Sequence, residues 1–467
     1  MKPNTNSTEG GEGSNRASEA ADAPKAPPSV RSRIGVAAFI LCLLPAMYFL
    51  AVTSYALLNA DAYASDLPRL LRYVIGPLLI ALALLLAARL RDRETSLMIG
   101  ITSCAVLFGL FAFEAYMTLR LLPKQIGVVG VLDEDESDAP YQNNLPPAYT
   151  IKSLNSFSGI EKLDQAVLSA VPDQPVLLCS DEGEPVTYQA DRYGFRNPPE
   201  AYAAPAEIMV LGDSFAEGLC LRDGDDLASQ IRAQRPALIN TASRGAGPVF
   251  ELAVLGRFGP VFQPKVTLLA FFEGNDWDNL EGEPDLAFLQ QVFDPDTDFG
   301  APEWSDAQHE RTKPVLESWW QGNAATTKEY LTRRSELRNF FALQNTALVL
   351  GLHYPKDVDP NPDYPVLLAR AREITGQWGG DLVLVYIPSH DRFGGLFPHQ
   401  FVQEPLRRMV YEAANQQSIE IIDLTDVFND QPRPKRFYAA DSHFNAEGAS
   451  VAADAIVKQL KSGGFIE

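Results

Sequence analysis

Cysteine and histidine are scarce, with four Cys and five His in 467 residues, and no CxxC pair occurs. That leaves no zinc-ribbon or thiol-redox spacing, so no structural metal site is expected. Cations are outnumbered too: 39 Lys and Arg face 60 Asp and Glu, a formal charge of −21. Phosphate binding needs clustered Lys and Arg, so a nucleic-acid surface is set aside. Residues 1–30 almost lack large apolar side chains and are rich in Gly, Ser, Asn, Ala, Pro and Glu. Such a stretch cannot bury enough surface to order itself, and residues 1–33 read as a disordered tail.

Apolar runs, in contrast, are plentiful at the N-terminal end. "IGVAAFILCLLPAMYFLAVTSYALL", "YVIGPLLIALALLLAA" and "SLMIGITSCAVLFGLFAFEAYMTL" follow one another. They predict three transmembrane helices over about 34–58, 72–89 and 96–118, the second long enough only with its flanks. Cys42 and Cys104 lie within these runs as small hydrophobes. Pro45 and Pro77 are tolerable in membrane helices. Glu114 is the polar exception, a group expected to face a helix neighbour. Arg31 and Arg33 precede the first run, and Arg89, Arg91 and Arg93 link the second to the third. Basic residues stay inside, so the tail is read as cytoplasmic and everything after about residue 120 as extracytoplasmic. In that compartment Cys179 and Cys220 are a candidate disulfide.

After residue 120 the pattern alternates between short apolar strands and amphipathic helices. "EIMVLGDS", "ALINTAS", "KVTLLAFFEGND", "DLVLVYIPSH" and "IEIIDLTDVF" read as strands, with helical stretches between them. Buried strands separated by helices imply a parallel sheet covered on both faces. Two regions break the alternation. Residues 121–200 read as a linker and ancillary segment. Residues of about 277–378 read as an inserted subdomain within a domain spanning 201–467. Trp319 and Trp320 fall in the insertion, either lining a groove or packing a core.

Chemistry-bearing residues collect at the carboxyl ends of these strands, where open α/β sheets bind ligands. Ser214 follows the first strand, Gly245 the second and Asn275 the third, and "DSHFNAEG" precedes the last helix. A serine hydroxyl needs a base to take its proton during attack, and His443 suits that task near neutrality. A carboxylate must hold the imidazole in one tautomer, and Asp441 is the candidate, with Asp423 and Asp426 as substitutes. The N–H groups of Ser214 and Gly245 and the Asn275 amide are candidate donors to a developing oxyanion.

These blocks, "GDS", the Gly of "SRGAG", "GND" and "DSH", resemble those of the SGNH (GDSL-like) hydrolase superfamily. "DRYGFRNPP" is similar to a segment of its membrane-anchored bacterial members. The resemblance implies a flavodoxin-like three-layer α/β/α sandwich with a parallel sheet. It assigns Ser214 as nucleophile, Gly245 and Asn275 as oxyanion donors, and Asp441 and His443 as the rest of a triad. It implies no cofactor. Only Ser442 separates Asp441 from His443, a spacing that resembles the branch adding or removing acetyl groups on bacterial exopolysaccharides. The expected protein is therefore a multi-pass inner-membrane serine esterase or O-acyltransferase. Its expected partners are an acylated glycan or small ester, the lipid bilayer and other envelope polysaccharide-modification proteins. A non-catalytic, membrane-tethered glycan-binding or assembly subunit is the alternative, and a lipid or thioester substrate a third.

Other residues near the blocks have two readings. Asp213 either holds its own turn or contacts substrate. Arg244 and Glu273 contact substrate or form local salt bridges. His390 lines the pocket or belongs to a loop. Asp276 and Asp278 make an acidic rim too diffuse for a metal site.

Overall fold

The computed structural model describes residues 30–64, 67–129, 139–181, 184–322, 334–352, 361–394, 400–439 and 441–467. The expected disordered tail lies outside them as far as Ser29. Three helices, Arg33–Leu58, Leu67–Ala87 and Arg93–Arg120, are long and apolar enough to cross a membrane. The middle one gains its 21 residues because a π-helical stretch, Leu70–Ile75, runs directly into Gly76–Ala87. At 1.5 Å per residue that is about 31 Å, the thickness of the hydrocarbon core. Pro77 falls where the π-helical stretch passes into Gly76–Ala87, inside a continuous apolar helix of a kind that tolerates it. The third helix continues to Val129 and runs alongside the strand β1 (Pro175–Asp181).

β1 pairs antiparallel with β2 (Glu184–Gln189) as a separate hairpin. The main sheet holds β3 (Ile208–Leu211), β4 (Leu238–Asn240), β5 (Val266–Phe272), β6 (Asp381–Ile387) and β7 (Glu420–Asp423). All neighbours are parallel, in the order β4-β3-β5-β6-β7. The chain therefore reverses direction across the sheet at β3 and β5, a topological switch point of the kind that opens a crevice at the carboxyl edge.

Successive strand residues feed two different cores. Met209, Leu211, Leu269, Phe271, Leu384 and Tyr386 pack with the helices Pro248–Phe262, Asp363–Gly376 and Gln400–Gln416. Ile208, Val210, Leu268, Ala270, Val383 and Val385 pack with Leu227–Gln234 and Ala446–Ser462. A period of two with both sets buried accounts for the near-continuous apolar reading of these strands.

Within the stretch read as a linker and ancillary segment, residues from 139 on contribute to the first core. Leu145, Ile151, Leu154, Leu163 and Val167 are buried there beside the β1–β2 hairpin. Buried Arg257 fastens them by donating to the carbonyls of Leu163, Ala166 and Phe299. Much of the expected insertion shares that core, through Trp277, Phe288, Leu316 and Trp319. Trp319 stacks on Tyr149 with ring centroids 4.1 Å apart, and Trp320 donates its Nε1–H to the Asn144 carbonyl. Both tryptophans are packing residues rather than groove walls. Cys179 of β1 and Cys220 are joined as a disulfide, with Cα atoms 5.5 Å apart.

Candidate active site

Ser214 begins a four-residue helix, Ser214–Glu217, directly after β3. Asp213 caps it, accepting from the Phe215 N–H at 2.9 Å, and is itself buried. One carboxylate oxygen therefore serves the turn, and the other has no partner among the described residues. Gly212 makes the turn possible: a Cβ there would come within 2.8 Å of Ala216 Cβ and 2.9 Å of Ala270 Cβ. The nucleophile turn thus rests directly on β5.

His443 arrives from the far end of the chain. Its loop is held by the Tyr438–Phe444 bridge and by the Ala439 N–H, which donates to the His443 carbonyl at 2.7 Å. Asn445 then caps the last helix through the Gly448 N–H. Phe215 packs on the imidazole with centroids 4.9 Å apart. The result places Ser214 Oγ 2.8 Å from His443 Nε2, across 229 residues of sequence. That is hydrogen-bond distance between a nucleophile and its base.

The other ring nitrogen faces Asp441. Nδ1 lies 3.5 Å from Asp441 Oδ2, an ion-pair distance longer than a well-formed hydrogen bond. The intervening Ser442 has φ +74°, a left-handed conformation rare outside glycine. That twist lets two side chains so close in sequence face each other, and the Asp441 carboxylate also accepts from the His443 N–H. Burial pulls the His443 pKa down, but Asp441 and Asp213 pull it up further, and the balance lies above the ordinary 6.5. Asp423 and Asp426 do not meet His443. Asp423 accepts from Arg407, Tyr411 and the Thr425 N–H, and Asp426 pairs with Arg407.

Gly245 and Asn275 stand half-buried at the carboxyl ends of β4 and β5, as Ser214 does after β3. Gly245 has φ +72°, and a Cβ there would lie 2.4 Å from Thr150 Cγ2. Thr150 caps the helix Ile151–Phe157, so the ancillary segment abuts this loop directly. No sequence pattern pointed to Thr150, because the contact joins residues with no shared periodicity.

Arg244 and Glu273, each read as a substrate contact or a local salt bridge, form buried ion pairs. Arg244 binds Glu217 and donates to the Leu177 carbonyl, tying the nucleophile helix to β1. Glu273 accepts from Arg392 and from the Ser389 N–H, joining the ends of β5 and β6. His390 is half-buried, with Nδ1 3.1 Å from Asp391 and its ring against Tyr438, beside the His443 loop.

Behind the site lies a set of buried carboxyls: Asp276, expected as part of an acidic rim, is fully buried, and Glu251 carried no signal in the sequence. Glu251 is fully buried, and neither of its oxygens has a partner among the described residues. Asp276 uses one oxygen to accept from the Phe272 N–H and leaves the other unpartnered. Burial, reinforced by mutual repulsion, holds both well above the carboxylate range. Asp213 is pushed up to about 6, by burial above all. Among the described residues none of these sets is arranged to hold a metal ion.

Residues 362–466 match a known family. Its description is "SGNH hydrolase-like domain, acetyltransferase AlgX". The match takes in Asp441 and His443 and leaves Ser214, Gly245 and Asn275 outside it. Among solved structures, the chain is similar to TesA at 13% identity and TM-score 0.31, covering 56% of this chain and 99% of that one. A lipase/acylhydrolase from Enterococcus faecalis is similar at 13% identity and TM-score 0.31, covering 55% and 96%. The esterase EstA from Pseudoalteromonas sp. is similar at 12% identity and TM-score 0.28, covering 55% and 96%. Likenesses this weak carry no argument about activity. No curated protein matches the chain in sequence. The site itself has the nucleophile–base geometry of a serine hydrolase, on a five-stranded parallel sheet.

Proposed function

We propose that this chain is a membrane-anchored serine esterase or acyltransferase of the bacterial envelope, acting on O-acyl groups, chiefly acetyl, of a glycan. The observation that carries the reading is the 2.8 Å approach of Ser214 Oγ to His443 Nε2. Ser214 attacks the acyl carbonyl while its proton passes to Nε2. Asp441 holds the tautomer with Nδ1 protonated and favours the imidazolium that forms. The oxyanion is met by the N–H groups of Ser214 and Gly245 and the Asn275 amide, each worth about 3 kcal/mol. Collapse expels the alcohol, which takes the proton from Nε2, and leaves the acyl group on Ser214. Water or a sugar hydroxyl then accepts it.

The acetyl-glycan specificity draws its support from the wording of the matched family and from the single residue between Asp441 and His443. Two buried faces and the strand order support the flavodoxin-like three-layer reading of the sheet. The Cys179–Cys220 bond and the arginines flanking the spans support an inner-membrane protein with its α/β domain in the periplasm. The test is turnover of p-nitrophenyl acetate by the full chain in detergent, with an O-acetylated glycan as a second substrate. Catalysed release that vanishes in Ser214→Ala is expected. No release, with glycan binding intact in both proteins, would return the chain to the binding-subunit reading.

A further inference from the structure

The segment between the α/β domain's β5 and β6 returns to the membrane helices. It forms two short helices, Arg334–Phe341 and Gln344–Leu350. Leu337, Phe340 and Phe341 recur at i, i+3 and i+4 and share one face. Leu337 is 45% exposed, Phe341 60% and Val349 48%, large apolar groups only partly covered by the described residues.

What this segment touches is a set of residues inside the spans. Phe111 lies 5.7 Å from the Phe340 ring and 6.4 Å from the Phe341 ring. The Tyr48 hydroxyl donates to the Phe341 carbonyl at 2.9 Å. Fully buried Glu114 accepts from the N–H groups of Asn345 and Thr346 and from the Thr346 hydroxyl. Asn345 Nδ2 donates to Thr118 Oγ1.

Depth follows from helix geometry. The third span runs from Arg93 to Arg120, 28 residues or about 42 Å, against a hydrocarbon core of about 30 Å. Phe111 lies about 13 Å below Arg120. Even with the whole overhang of about 12 Å placed at that end, Phe111 reaches the hydrocarbon. Glu114 lies about 9 Å below Arg120 and is inside the hydrocarbon when the overhang is shared between the two ends. A carboxyl and a helix start there cannot turn to water for hydrogen bonds. Glu114 and the first turn of Gln344–Leu350 satisfy each other.

We propose that these two helices form a re-entrant element, seated among the spans in the leaflet on the α/β-domain side. Leu337, Phe341 and Val349 then lie against lipid acyl chains. The element joins the bilayer to the crossover that leaves β5 beside Asn275, so that edge of the sheet is tied to the membrane surface. This inference rests on the three spans and not on the proposed catalysis.

The test is the depth of a spin label on the full chain reconstituted in phosphatidylcholine vesicles. Labels are placed by Leu337→Cys, Phe341→Cys and Val349→Cys, each with Cys42→Ala and Cys104→Ala. Leu79→Cys, 60% exposed on the second span, is the lipid-facing standard, and Val261→Cys, 42% exposed on the α/β domain, the aqueous one. A retained thermal unfolding transition shows that each variant is folded, independently of esterase activity. Expected is oxygen collision at Phe341 and Leu337 several-fold above Val261 and nickel-complex collision several-fold below it, as at Leu79. Labels at both positions that behave as at Val261 would overturn the proposal.

Discussion

Replacing Asp441 by Asn separates charge from shape at the least regular contact of the site. The carboxylate and the His443 ring lie 3.5 Å apart, with side chains 19% and 21% exposed. An ion pair at that distance is worth about 1 kcal/mol in water and about 5 kcal/mol at an effective dielectric of 20. Partial burial puts the coupling between these limits, at about 2 kcal/mol. The base must be neutral to accept the Ser214 proton. In the natural chain, activity should therefore fall on the acid side through a limb above the ordinary 6.5. Asp441→Asn should move that limb to lower pH and, because the tautomer is no longer held, lower kcat by about 10²–10⁴-fold. The assay is kcat and kcat/KM for p-nitrophenyl acetate across pH. An unmoved limb with unchanged kcat would show that Asp441 neither charges nor orients His443.

Three further outcomes follow from other contacts. Gly245→Ala should cost about 1–3 kcal/mol of stability or displace the loop, because its Cβ meets Thr150 Cγ2 at 2.4 Å and φ is +72°; a companion Thr150→Ser should recover part of the lost turnover, and no loss in the single variant would refute the contact. Glu251 has a raised pKa, so its contribution to stability is full below the ordinary 4.5 and is lost as pH climbs through the raised value. Calorimetry from about pH 5 to pH 9 should show the melting temperature falling less steeply in Glu251→Gln than in the natural chain, and equal slopes would contradict this. Cys220→Ser opens a loop spanning 41 residues and should lower stability by about 4 kcal/mol on the chain-entropy account, read as a drop in Tm; an unchanged Tm would argue against it.

Much of this was legible because it is local. Ile208–Leu211 reads as a buried strand that stops at Gly212-Asp213-Ser214, and the fold puts Ser214 at that edge. The three spans announce themselves by length and apolarity, though the second is lengthened by its π-helical start. Residues 139–181 were opaque for the opposite reason. Their packing against Arg257, Trp304 and Gln308 joins distant pieces whose own patterns are short and irregular. Arg244 and Glu273 flank the oxyanion blocks in sequence, but Glu217 and Arg392, their partners, come from other turns. Glu114 stood out as a charge in an apolar run, while its donors lie more than two hundred residues away.

The central claim is that His443 activates Ser214. It is tested most directly by treating the full chain with a fluorophosphonate and mapping the modified peptide by mass spectrometry. One phosphonyl group on Ser214, absent in Ser214→Ala and strongly slowed in His443→Ala, is the predicted result. A chain that hydrolyses p-nitrophenyl acetate while Ser214 stays unmodified, or that labels as fast without the imidazole, would contradict it.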